Sequence, residues 1–112
     1  MVKVSVLYPN QAGATFDMHY YCNQHMALVR QLVGAAAKGL AVDGGIGSAE
    51  SAAPFLAIGH LWFDSMEAFQ AAMAAHGAAL LADVPNYTNV KPVIQVSRIE
   101  LSEEPAALRA AG

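Results

Sequence analysis

Three histidines, His25, His60 and His76, interrupt apolar stretches of this chain. Imidazole titrates near neutrality and can give or take a proton, so a histidine placed where leucine would pack better is a candidate acid or base. His25 is the sharpest case. At 100° per residue, Met18, Tyr21, Cys22, Leu28, Val29 and Leu32 fall within about 60° of one direction, with His25 at its centre. Tyr21 lies one turn earlier on the same face, where it can orient the imidazole or bind a substrate oxygen. His25 and Tyr21 are therefore the candidate catalytic pair. His19 points about 120° away and is assigned to solvent.

His60 alternates with Ile58 and Trp62, and His76 falls in a helical stripe with Met66, Phe69, Met73 and Leu80. Trp62 and Phe69 offer an apolar wall to an organic ligand. With His60, His76 and Tyr87 they make the candidate ligand-binding set. Each histidine also has a structural reading. His25 and His60 fit a hydrogen-bonded core role, and His76, beside Gly77, fits a helix end whose free carbonyls it would satisfy. The two readings of His25 differ in partner. A structural histidine is held by a fixed partner, whereas a cleft histidine faces a hydrated void, and His25 is assigned to the cleft.

A metal site is not expected, because no His pair stands at i,i+4 and no nearby carboxylate fits. The single cysteine, Cys22, excludes an internal disulfide and reads as a small buried hydrophobe. No serine stands in a nucleophile elbow, and "GGIG" lacks the strand-to-helix setting of a phosphate loop.

The elements that position these residues follow from periodicity. "VKVSVLYP" alternates as a half-buried strand. Asp17 caps the first helix, with Phe16 and Tyr21 spaced as a hydrophobic staple. "GLAVDG" is a second strand, followed by the glycine- and serine-rich loop Gly44–Pro54, expected to be mobile and to cover the cleft. "FLAIGHLWF" is a third strand, and Asp64 with Glu67 marks a capping box for the second helix. "VIQVSRIEL" is a fourth strand, and 102–112 is a loose tail of the single domain 1–112. The order β-α-β-β-α-β is the ferredoxin-like split unit, an α+β fold with a four-stranded antiparallel sheet and both helices on one face. Both faces of the third strand are apolar, so the side away from the helices needs a partner, and a second copy of the chain is the natural one.

The 112 residues carry a net charge of −3 and no basic patch, which argues against nucleic acid. Although 55% of residues are hydrophobic, no apolar run reaches the roughly 20 residues of a membrane span. The start lacks a signal-peptide layout, so a cytoplasmic protein is expected.

"FDMHYYCNQHMALV", "AIGHLWFDSMEAFQAAMAAH" and "ADVPNYTNVKPVIQVS" resemble the EthD family of the dimeric α+β barrel superfamily, over Val2 to about Glu100. FD-x-x-YY-x-x-x-HM-x-LV and P-N-Y-T-N, which contains Tyr87, carry the resemblance. Ala27 stands where the family usually has proline, which leaves the helix free to run on and bears on the aim of His25. The resemblance implies a protomer that dimerises sheet to sheet and an association with ethyl tert-butyl ether degradation. Superfamily relatives include cofactor-free monooxygenases, lactone isomerases, polyketide-modifying enzymes and haem-handling proteins, so fold alone does not choose a reaction. The expectation is a catabolic or accessory protein that binds an apolar oxygen-containing molecule between helices and sheet and needs no cofactor. The alternatives are a non-catalytic carrier and a haem protein using His76 with Trp62 as a wall.

Overall fold

The computed structural model describes residues 1–105 and Leu108. Strand β1, Val2–Pro9, lies beside β3, Phe55–Phe63, in the middle of an antiparallel sheet. Strands β2, Ala37–Gly44, and β4, Val93–Arg98, close the two edges in the order β2-β3-β1-β4. With the helices between, this is the expected ferredoxin-like α+β architecture.

The first helical rod runs from Met18 to Val33 without a break, through Ala27. It has three parts: α1 (Met18–Tyr20), a π-helical turn (Tyr21–His25) and α2 (Met26–Val33). Asp17 caps it by accepting from the Tyr20 amide at 3.0 Å, and Phe16 meets Tyr21 edge-on at 5.1 Å as the staple spacing requires. In the π turn the Met26 amide donates back five residues, to the Tyr21 carbonyl. The inserted residue shifts the phase of the helix. Met26, well off the stripe that a constant 100° step gives, is buried beside His25, while Cys22 and Leu28 are only half-buried.

Helix α3, Met66–Asp83, differs from expectation at both ends. Its cap is Ser65, whose hydroxyl accepts from the Ala68 amide at 3.1 Å, rather than Asp64, which is exposed near Lys38. The helix also passes through Gly77, which a helix interior tolerates at a cost of about 1 kcal/mol. His76 therefore sits in mid-helix, far from the terminal carbonyls it was expected to satisfy.

Alternation along the strands divides the sheet into two faces. Val4, Tyr8, Ala57 and Phe63 are buried against the helices. The opposite face carries Leu7, Leu56, Ile58 and Trp62, with Ser5, Asp43 and His60 among them. Gly44–Pro54 is tied down at both ends, by Gly45 to the Leu56 carbonyl at 3.1 Å and by Asn10 to the Pro54 carbonyl at 3.0 Å. Of the tail, Ser102–Pro105 is exposed and irregular, and 106, 107 and 109–112 lie outside the described residues. Among the described residues no helix is long and apolar enough to cross a membrane.

The rod's approach to the sheet depends on one glycine. A Cβ on Gly59 would overlap the Tyr21 hydroxyl, while the ring carbon behind it would stay at 3.4 Å, an ordinary contact. Gly59→Ala is expected to cost about 1–3 kcal/mol in urea melts, as overpacking does. Adding Tyr21→Phe to it should recover part of that loss, because only the hydroxyl is in the way, and a double-mutant cycle measures the coupling.

Candidate active site

Between the helices and the sheet lies a cavity of about 410 Å³. Its wall is almost wholly apolar, with Val4, Val29, Phe63, Phe69, Met73 and Leu80 prominent, and the lining residues with polar side chains are His25, Tyr8, Tyr21 and Tyr87. No Lys, Arg, Asp or Glu lines it among the described residues.

His25 is 6% exposed, and its Nδ1 lies 2.8 Å from Oδ2 of Asp83, the last residue of α3. The other carboxylate oxygen accepts from the Tyr20 hydroxyl at 2.7 Å and from Asn86 Nδ2 at 2.9 Å. Burial pushes the Asp83 carboxyl up, but the hydrogen bonds from Asn86, His25 and Tyr20 outweigh it and hold the group below the usual carboxylate range. Asp83 is therefore ionised near neutrality. An ionised carboxylate only accepts, so His25 must carry its proton on Nδ1. Neutral His25 then has its lone pair on Nε2. Among the described residues no group bonds Nε2 and no buried side-chain nitrogen or oxygen lacks a partner, so Nε2 is open to the cavity that His25 lines. The structure gives His25 a fixed partner and a cavity position together, so the two roles separated on sequence grounds coexist.

Two phenol rings, themselves 4.9 Å apart, pack against the imidazole. Tyr21 stacks on it with centroids 5.4 Å apart and planes within 11°, and Tyr87 lies at 4.8 Å. Tyr87 and Tyr8 share a hydroxyl hydrogen bond of 2.7 Å, and the Tyr21 ring meets that of Tyr8 edge-on at 5.4 Å. Burial is the main cause that pushes all three phenols above their ordinary range, which keeps them neutral donors. The P-N-Y-T-N segment places Tyr87. The Tyr87 carbonyl accepts from the Asp17 amide at 2.8 Å, the Thr88 hydroxyl donates to the Thr15 carbonyl at 2.7 Å, and Asn89 Oδ1 accepts from the Thr15 amide at 2.8 Å. The motif thus fastens one wall of the cavity to the start of the first helix.

Of the residues singled out in the sequence, the cavity brings together His25, Tyr21, Phe69 and Tyr87. His60 and Trp62 are on the other face of the sheet, because β3 turns Leu61 and Phe63 toward the helices. There His60 Nε2 donates to Asp43 Oδ2 at 2.7 Å and its Nδ1 lies 3.2 Å from Ser5 Oγ. His76 is half-buried outside the cavity wall, so the residues present do not fit a haem held by His76 against Trp62. No residue of Gly44–Pro54 lines the cavity, so the loop is not its cover. Asp83, Tyr20 and Tyr8 are the site residues that sequence reasoning missed. Asp83 carried a signal, since an acidic last residue of a helix opposes the macrodipole and needs another reason to be there. Tyr8 carried one too, as a phenol on the buried face of a strand needs a partner.

A model of the EthD domain matches residues 12–91 of this chain. The chain belongs to the EthD family. It is similar over 91% of its length to 94% of an EthD-like protein from Ralstonia eutropha JMP134, at 43% identity and a TM-score of 0.83. An EthD-family protein from Bacillus halodurans C-125 shares the fold at 20% identity, with 88% and 98% of the two chains covered and a TM-score of 0.62. A dimeric ferredoxin-like protein of unknown function from Thermobifida fusca YX does so at 16% identity, 88% and 89% coverage and a TM-score of 0.52. No curated protein matches the chain.

The Asp83 contact has a pH signature in this EthD protein. A carboxyl whose folded pKa is depressed contributes stability above its unfolded pKa, and the contribution is lost as pH falls through the folded value. The stability difference between wild type and Asp83→Asn is expected to stay level from pH 7 to about 5. It should then shrink below pH about 4, the unfolded carboxylate range, in urea melts run as a pH series. A difference that persists undiminished to pH 2 would show that the carboxylate charge is not what the fold uses.

Proposed function

We infer that this EthD protein binds a small, neutral, apolar molecule carrying an oxygen function and acts on it by acid–base chemistry, as a catabolic or accessory protein of the cytoplasm. The observation that carries the reading is the lone pair of His25 Nε2, open to an otherwise apolar cavity and fixed by Asp83. In such a cavity a charged ligand would lose its hydration without gaining an ion-pair partner, which selects for neutral molecules. The ether in the family's name is a molecule of this class. His25 is the acid/base and Asp83 sets its tautomer. Tyr21 stacks on the imidazole, with its hydroxyl turned toward Gly59 and Tyr8, so the oxygen-binding role expected of Tyr21 passes to Tyr8 and Tyr87.

The neutral two-ring alcohol 2-naphthol is a suitable probe, followed by its fluorescence. Wild type should bind it with one site per chain, and the anion 1-naphthoate at least about tenfold more weakly, a difference near 1.4 kcal/mol. Met73→Trp, which fills the cavity, should abolish naphthol binding with the fold retained. Equal affinity for naphthol and naphthoate would sink the reading. Because His25 is held by Asp83, His25→Ala should also cost about 1–3 kcal/mol of stability, the usual loss when a buried polar group is left without its partner.

The reading includes a homodimer through the open sheet face. Leu56, Ile58 and Trp62 lie half-buried there, and their apolar area is worth about 25 cal/mol per Å² once covered. The similar fold from Thermobifida fusca is described as dimeric. Sedimentation at twice the chain mass is expected for wild type and at the chain mass for Ile58→Glu. A wild-type monomer at micromolar concentration would remove the dimer from this account.

A further inference from the structure

We propose that the cavity enolises a neutral carbonyl compound, with His25 Nε2 removing a proton from the carbon beside the carbonyl while the Tyr8–Tyr87 phenols hydrogen-bond the oxygen. The proposal rests on the acid–base reading above and adds to it a substrate class and a step.

The hydroxyl arrangement carries it. Tyr8 and Tyr87 have two hydroxyl protons between them, and one hydrogen bond of 2.7 Å joins the two groups. One of the protons is used in that bond and one remains for a ligand. The donor already committed polarises the remaining O–H, so its bond strengthens as charge grows on the oxygen it meets. A preorganised donor of this kind favours an oxygen that gains negative charge during reaction over one that stays neutral. The Tyr87 ring lies 4.8 Å from the His25 ring and both residues line the cavity, so one small molecule there borders both. A carbonyl compound carries its oxygen and its α-hydrogen on neighbouring carbons, so it can offer one to the phenols and the other to the imidazole.

The step is balanced without another reagent. The C–H electron pair becomes the C=C bond, and the carbonyl π pair moves onto oxygen, which accepts the phenol hydrogen bond. The proton goes to Nε2. The imidazolium so formed already has Asp83 at 2.8 Å, so the new positive charge in the apolar cavity is paired as it appears. Return of a proton from Nε2 to carbon regenerates the carbonyl compound or an isomer.

The test is deuterium uptake from D2O at the α-carbon of 2-tetralone, read by mass spectrometry. The blank is free imidazole at the protein's concentration and pH. Wild type should exceed the blank about 100-fold or more, in line with general-base catalysis by a placed side chain. His25→Ala should fall to near the blank. Tyr87→Phe, which keeps the ring packing, should lose about tenfold in rate while its naphthol affinity changes less. If 2-naphthol binds but tetralone exchange does not exceed the blank, the enolisation proposal fails and the binding reading stands. If neither probe binds, both fall. Exchange above the blank that survives in both variants overturns the assignment to this cavity.

Discussion

The contact between His25 Nδ1 and Asp83 Oδ2, 2.8 Å long, joins the middle of the first helical rod to the last residue of α3. Around it two helices from distant parts of the chain meet at one end of the sheet. The carboxylate is shared with Tyr20 and Asn86, so a single half-buried charge organises three neighbours. It also fixes chemistry, because the same hydrogen bond that ties the helices together decides which imidazole nitrogen carries the proton. Stability and reactivity here have a common origin.

The rest of the cavity makes that choice matter. Nearly every other wall group is aliphatic or aromatic, and the polar exceptions are phenols, two of them hydrogen-bonded to each other. With no mobile charge nearby, an electrostatic interaction inside is weakened far less than in water. The tyrosines are themselves held by the backbone. Gly59 yields space to one, and the loop around Thr88 ties another to the residues that begin the first helix. The sheet acts as a rigid floor against which small displacements of the rings are resisted.

Much of this was legible in the residues. Alternation in "VKVSVLYP" and "FLAIGHLWF", and the cap at Asp17, lead directly to the observed strands and helix, because backbone periodicity is a local property. The conflict over His60 arose because both faces of β3 are apolar, and only pairing with β1 decides which side meets the helices. The cap of α3 moved by one residue, a shift within the reach of side chains that compete for the same amides. Asp83 escaped notice for a different reason. It lies 58 residues from His25 along the chain, and a partner so distant leaves no periodic trace. The helix-end explanation of His76 fails because the helix continues through Gly77 to Asp83.

The π turn at Tyr21–His25 holds one residue more than an α-helical path would need. Helix and site are therefore geared separately. A helix of the same length in space can be made with one residue fewer, and such a chain would keep its cap, its staple and the burial of Val29 and Val33. What would change is azimuth, since each residue of an α-helix turns it by about 100°. Everything on the amino-terminal side of the missing residue would rotate relative to α2, carrying Tyr21 off the imidazole face. The extra residue thus behaves as a set of teeth between two parts of one rod, and its loss would leave a sound helix that meshes with the wrong groups.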